Sequence, residues 1–388
     1  MSETLSILEI GIVLLAAGLA GAASRRVGLP AVLGYLIVGL AVGPFTPGYV
    51  ADRQQIQVLA DVGIVLLLFE VGIELDLRAL RREPRGIFLA VPLQVIIVAL
   101  IGGLVFSALG TGLLGAATLG LTVAISSSVV VINITRSRRR TTDPTTERAL
   151  IVWAVLQDLV TLVAASLLVV FLSPNGDPAA VALFKALGFL ILAAIAQTRV
   201  LPWILARVQD QPDSFLIVAV STALAAAGIG GVVFGVPVAL AAFVAGLFFS
   251  LRPEAQAARR EVLPFRDLFA VMFFVAIGSL VDPAAVASEP GWLVLMLGLV
   301  GLKVAIVPAM AALFQVPARR LQLGVGLGQI GEFSFVVLGL GVAAGVVTRG
   351  QFSATLATAA ITIAASAVGA RLFPGVRSAP QVAVEVDG

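Results

Sequence analysis

Along the chain, long apolar runs alternate with short segments that hold most of the charge and the Pro/Gly punctuation. A bilayer-spanning helix takes about 20 residues, and read against that length the apolar windows predict spans near 4–23, 29–46, 56–75, 86–108, 113–134, 147–172, 179–198, 213–229, 236–251, 264–281, 291–315, 322–345 and 353–373. The pattern predicts an all-α polytopic membrane protein of 13 transmembrane helices in a single domain over 1–373, followed by a short cytoplasmic tail at 374–388.

The basic residues test this count, because cytoplasmic loops collect Lys and Arg. With these spans, one side of the membrane receives 21 of the 25, from Arg25, Arg26 and the cluster Arg78, Arg81, Arg82 and Arg85 through Arg136, Arg138, Arg139 and Arg140 to Arg319, Arg320, Arg371 and Arg377. The other side holds Arg53 and Arg349, and Lys185 and Lys303 lie inside spans. A missed or added span would scramble this segregation. The expected orientation therefore has the N-terminus outside and the C-terminus in the cytoplasm of an inner (plasma) membrane protein. The first run reads as a helix and not a signal peptide, because Arg25-Arg26 follows the apolar stretch instead of preceding it. No soluble regulatory domain is expected after Arg371.

Composition agrees and narrows the chemistry. Of 388 residues, 60% are hydrophobic and 12% charged, about half the charge of a soluble domain. Cys and His are absent, which removes disulfides, thiol nucleophiles, Ser-His-Asp triads and the usual zinc sites. Carboxylates and Lys must carry any proton chemistry. The net charge of +3 is accounted for by loop anchors and needs no nucleic acid. No Walker motif appears, so an ATP-driven pump, or any enzyme with a bound cofactor, is not expected.

The sequence also matches itself at an offset of about 206 residues. Gly28, Pro30, Leu33, Gly39 and Leu40 lie over Gly235, Pro237, Leu240, Gly246 and Leu247; Gly72 and Asp76 over Gly278 and Asp282; Gly120, Leu121 and Ser128 over Gly326, Leu327 and Ser334. This offset equals seven spans, an odd number. The copies, about 4–172 and 213–373 with a connector helix at 179–198, would thread the bilayer in opposite senses, which is the inverted six-helix repeat plan of secondary transporters.

Ionisable or polar residues at span centres are costly and mark function. The centres of four spans carry Gln157-Asp158, Lys303, the run Thr122, Ser126, Ser127 and Ser128, and Gln329 with Glu332. The spans at 113–134 and 322–345 correspond under the repeat, and both are interrupted, one by hydroxyls and one by Gly326, Gly328 and Gly331. Paired interruptions point to a transport site where freed carbonyls and half-helix ends face an ion. Thr122, Ser126 and Ser127 either help hold a dehydrated cation or bond back to the preceding turn. Asp158 either takes a proton or a metal ion, with Lys303 as an opposite charge at the same depth, or the two form a static pair. Gln157 either orients Asp158 or offers a carbonyl oxygen. Glu332 either compensates positive helix ends, binds the ion directly or packs helices, and Glu70 is expected to line an aqueous funnel or pair with a loop Arg.

As a set, Gly28-Leu-Pro-Ala-Val-Leu-Gly-Tyr-Leu36, Gly43-Pro44, Leu68-Phe-Glu-Val-Gly-Ile-Glu-Leu75, Ala124-Ile-Ser-Ser-Ser128, Gln157-Asp158 and Gly328-Gln-Ile-Gly-Glu-Phe333 resemble the monovalent cation:proton antiporters of the Kef and NapA type, in order and over nearly the whole chain. The resemblance implies a dimerisation domain and a core domain with two crossed discontinuous helices, an elevator motion of the core, and a homodimer. It puts the essential carboxylate on Asp158, the preceding position on Gln157 and the core lysine on Lys303. Kef-type proteins carry a C-terminal nucleotide-binding domain, for which residues 374–388 are too short. The expected function is exchange of K⁺ or Na⁺ for H⁺ at Asp158, one for one, in the lipid bilayer. A regulatory subunit in trans remains open. The alternatives are a cation-coupled symporter of an organic anion, or a non-transporting sensor or channel subunit.

Overall fold

The computed structural model describes residues 2–46, 53–74, 80, 83–135, 142–172, 179–208, 211–251, 255–370 and 372–373. Arg78, Arg81, Arg82, Arg136, Arg138, Arg139, Arg140, Arg252, Arg371 and the tail 374–388 lie outside the described residues.

Every regular element among the described residues is helical: Ser2–Arg26 (α1), Ala31–Val42 (α2), Arg53–Glu74 (α3), Arg85–Ala108 (α4), Leu113–Ala124 (α5), Ser128–Thr135 (α6), Pro144–Leu172 (α7), Ala179–Ile195 (α8), Leu201–Val208 (α9), Pro212–Phe234 (α10), Val238–Ser250 (α11), Ala255–Ser279 (α12), Pro283–Ser288 (α13), Pro290–Leu313 (α14), Arg320–Leu327 (α15), Phe333–Ala343 (α16) and Arg349–Gly369 (α17). Helices suit a chain this apolar, since each satisfies its own backbone bonds without water. Among the described residues, eight helical stretches are long and apolar enough to cross a membrane, and four shorter apolar helices accompany them.

Three elements depart from the sequence reading. Helix α12 begins at Ala255, nine residues before the predicted 264, because Ala255, Ala258 and Val262 are buried and Arg259 between them pairs with Glu70 and Glu74. The helix predicted over 179–198 continues through a π-helical turn, Ala196–Val200, into α9, so Arg199 and Arg207 sit on helix and not in a loop. The six-residue α13 was not anticipated, being too short to register as an apolar run; Asp282 caps it by accepting from the N–H groups of Ala284 and Ala285.

The helices pack in two groups. One joins α1, α2 and α3 to α10, α11 and α12; the other joins α4 to α7 with α14 to α17. Contact between the groups runs through α17 against α2, and α8 touches both by way of α7, α10 and α11. Two close approaches bind the first group: Gly39 of α2 lies against the backbone of Val275 and Gly278 on α12, and Gly246 of α11 lies against Phe69 and Gly72 on α3. A Cβ at any of these four glycines would collide with main chain.

Candidate functional site

In the second group both interrupted segments break. Helix α5 ends at Ala124, Ile125 is extended (φ −85°, ψ 139°) and α6 starts at Ser128; α15 ends at Leu327 and α16 starts at Phe333. The two breaks touch. Gly331 N–H donates to Ile125 O at 3.2 Å, and Gly331 rests so close on the Ser126–Ser127 peptide that only glycine fits.

Breaking two helices frees backbone groups that must find partners, and side chains supply them. The Gln329 amide pairs with Ser127, accepting from its N–H (2.7 Å) and donating to its carbonyl (3.2 Å). Ser126 Oγ donates to Leu327 O at 2.7 Å, and Ser334 Oγ to Thr122 O at 2.8 Å. The Gln157 amide accepts from Ser126 N–H (3.0 Å) and donates to Ala124 O and to Gln94 Oε1, both at 2.8 Å. Lys303, fully buried, donates from Nζ to Gln329 O (2.6 Å), Ile125 O (3.0 Å) and Ser126 Oγ (3.4 Å). The positive ammonium thus sits among carbonyls freed at the breaks. Glu332 stands immediately before α16 and accepts from Ser128 Oγ, the first residue of α6, at 3.2 Å. A carboxylate there faces the positive ends of two half-helices.

Asp158 lies one residue beyond Gln157 on α7, at the flank of the crossing beside Ser128. Its side chain is buried, and Oδ1 has no hydrogen-bond partner among the described residues. Ser128 lies beside it, and Glu332 and Glu74 are the carboxylates nearest in influence. Asp158 lines a cavity of about 230 Å³ with Glu74, Glu83, Ser128 and Ile132. A second cavity of about 360 Å³ shares Val71, Glu74, Ser128 and Ile132 and extends past Glu70, Glu332 and Tyr35 to Arg25 and Arg266. Both lie on the boundary between the two packing groups, with walls from α2, α3 and α12 on one side and α6, α7 and Glu332 on the other.

Glu70 is fully buried and held by two arginines of α12, with Arg259 Nε and Arg266 each at 2.6 Å; Arg259 also reaches Glu74 at 2.7 Å. It lines the larger of these two cavities, and the arginines that hold it sit on a helix and not in a loop.

The chemistry on offer at the crossing is narrow: the buried Asp158 carboxylate with an unpartnered oxygen, bordering a largely apolar cavity, beside backbone that is not helical. The transmembrane sodium/hydrogen exchanger profile matches residues 11–373. The chain belongs to the sodium/hydrogen exchanger family. It is 29% identical to YbaL of Escherichia coli K12, assigned as a cation/proton antiporter, over 88% of this chain and 64% of that protein. It is 31% identical to the glutathione-regulated potassium-efflux system protein KefC of Escherichia coli O7:K1, over 88% of this chain and 56% of KefC. The chain therefore spans roughly three-fifths of the length of these relatives. Its fold matches that of the sodium proton antiporter MjNhaP1 from Methanocaldococcus jannaschii, with a TM-score of 0.76 and 16% identity over 96% of this chain and 98% of that one. This exchanger-family chain is a multi-pass membrane protein, and its named relatives are transporters.

Of the residues singled out from the sequence, the exchanger fold brings Ser126, Ser127, Gln157, Lys303 and Glu332 to one crossing, with Asp158 at its flank. Thr122 is buried at the end of α5, where its hydroxyl bonds back to Thr118 O at 2.8 Å and lines neither cavity. Ser127 Oγ accepts from Val130 N–H at 3.2 Å and so caps α6. Among the described residues no ion pair joins Lys303 to Asp158; the lysine donors go to the crossing instead. Two residues were underweighted. Ser128 was one hydroxyl in a run of three, yet it is the one that borders both cavities. Gln94 sits inside the apolar run of α4, where the same rule that marks Gln157 marks it too.

Proposed function

We propose that this chain exchanges a monovalent cation, K⁺ or Na⁺, for H⁺ by competition at Asp158. The observation that carries the reading is the buried Asp158 carboxylate with an unpartnered oxygen, bordering a cavity that also holds Glu74, Glu83 and Ser128. A bare carboxylate in that position is expensive, so the group holds either a proton or a cation. The names of the relatives support cation/proton exchange as the pairing.

In this reading, deprotonated Asp158 takes the cation with Ser128 beside it, and the crossing supplies the surrounding oxygens. Lys303 and Glu332 balance the carbonyl and N–H ends of the four half-helices, so the ion meets a neutralised crossing. The group containing α4 to α7 and α14 to α17 then slides against the other, and protonation on the far side releases the ion. Siting both cavities on the boundary between the groups supports such a motion. With one exchanging carboxylate the stoichiometry is one cation per proton, hence electroneutral.

The proposed frame is 13 spans in two inverted six-helix repeats, in a homodimer, with the N-terminus outside and the C-terminus in the cytoplasm of the inner membrane. The repeat is supported by the paired glycine contacts, since Gly39 with Gly278 and Gly246 with Gly72 are the same contact under the offset. The Arg-lined cavity then opens to the cytoplasm.

The experiment is proton flux in proteoliposomes with K⁺, Na⁺ or Li⁺ added in turn, for the wild type and Asp158→Asn. The expected result is flux with at least one cation in the wild type and none in the variant. Flux with no cation, or equal flux in the variant, overturns the reading and directs attention to cation-coupled uptake of an organic anion.

A further inference from the structure

The Gln157 amide has two distinguishable ends, and its neighbours accept only one orientation. Ser126 N–H can only donate and Ala124 O can only accept, so Gln157 must present Oε1 to the first and Nε2 to the second, as it does at 3.0 and 2.8 Å. Its second N–H then needs another acceptor, and finds Gln94 Oε1 at 2.8 Å. Gln94 is itself an amide that could turn over. What fixes it is Trp153, whose indole N–H is a donor with no acceptor capacity and reaches Gln94 Oε1 at 3.3 Å. Gln94 Nε2 is left facing Ala124 O, at 3.5 Å. Trp153 and Gln157 are four residues apart on α7 and so share a face, across which α4 places Gln94. All three side chains are fully buried.

We propose that Trp153 and Gln94 are positioning residues that polarise the Gln157 amide and thereby fix residues 124–126, where α5 ends and the break begins, against α7, next to the cation-binding carboxylate. The order of the relay follows from its ends: an indole that can only donate, two amides that must alternate, and a peptide N–H and a carbonyl that cannot change roles. A turned Gln157 would set like against like at both Ser126 and Ala124. Because Asp158 follows Gln157 directly, the register of this segment on α7 sets where Ser128 stands relative to the Asp158 carboxylate. The relay acts on the ion's surroundings and touches neither ion nor proton. Losing it weakens cation competition more than it slows the sliding of the helices. This inference rests on Asp158 as the exchange site.

The test uses full-length protein in proteoliposomes and in detergent, with Gln94→Leu and Trp153→Phe as relay-breaking variants and Gln94→Glu as the variant that keeps an acceptor for both Trp153 and Gln157. Two readouts are needed: apparent KM and maximal rate for the exchanged cation, and hydrogen–deuterium exchange in peptides covering 124–127. The relay predicts that Gln94→Leu and Trp153→Phe raise KM about tenfold, the worth of a buried hydrogen bond, with maximal rate changed less than about twofold, and that exchange at 124–127 speeds up. Gln94→Glu should restore KM and protection to near wild type. Unchanged KM and exchange in the relay-breaking variants overturn the proposal, and so does a Gln94→Glu variant as impaired as Gln94→Leu, which would reduce Gln94 to packing. If wild type moves protons with no cation, the antiport reading falls separately, and the exchange pattern of the three variants still decides whether the relay holds the segment.

Discussion

An ammonium has three N–H donors, and those of Lys303 reach Gln329 O, Ile125 O and Ser126 Oγ. Lys303→Met keeps much of the bulk but takes the lysine donor from buried Gln329 O, at about 1–3 kcal/mol, and leaves Ile125 O with Gly331 N–H alone. The expected outcome is a lower thermal midpoint in detergent for Lys303→Met, with Lys303→Gln in between because its amide retains two donors. Equal midpoints for wild type and Lys303→Met would mean the carbonyls have other partners. At this scale the sequence singled out buried polar residues, but not their partners. Asp158, Gln157, Lys303 and Glu332 stand out because polar groups in an apolar run demand a reason. Their pairings do not follow from depth, since Lys303 and Asp158 share a level yet face different neighbours, and the rotation of α7 and α14 about their axes is set by packing.

At the level of elements, both breaks were legible, because hydroxyl and glycine clusters are poor continuations of a membrane helix. The contact of Gly331 on the Ser126 backbone was not legible, since it joins segments 200 residues apart. It makes a sharp prediction: Gly331→Ala drives a methyl group into main chain, separating the breaks with loss of transport and about 1–3 kcal/mol of stability. Gly339→Ala, in α16 with open space where its Cβ would lie, should leave both unchanged or stability slightly raised. Thermal midpoints and flux for the pair check this together. The start of α7 is held by Asp143, which accepts from Thr146 N–H at 2.9 Å and its hydroxyl at 2.8 Å and pairs with Arg319. Burial works against ionisation there, but the Thr146 bonds and Arg319 outweigh it and hold the Asp143 carboxyl below its ordinary value. A carboxylate lowered in the folded state contributes above its unfolded pKa, about 3.9, and loses that contribution as pH falls through the folded value. Asp143→Ala should therefore cost about 1 kcal/mol at neutral pH, with wild type and variant converging as the pH drops below about 4. Midpoints measured across pH decide it.

For the whole molecule, two helix groups with cavities along their boundary support the proposal that one group slides past the other. Hydropathy and the charge segregation made the helical order legible, while the assignment of helices to groups came only from contacts such as Gly39 with Gly278. One exchanging carboxylate predicts no steady current when proteoliposomes carry out exchange under an imposed voltage. A sustained current would require a second titrating group, with Glu332 and Glu74 the nearest carboxylates. The central claim is that proton and cation compete for Asp158. It is tested most directly by measuring the apparent KM of the exchanged cation as a function of pH on the side from which it binds. Competition predicts that KM rises with proton concentration, approaching about tenfold per pH unit on the acid side of the site's pKa, while maximal rate at saturating cation stays level. A KM independent of pH while exchange persists would contradict competition at a single carboxylate.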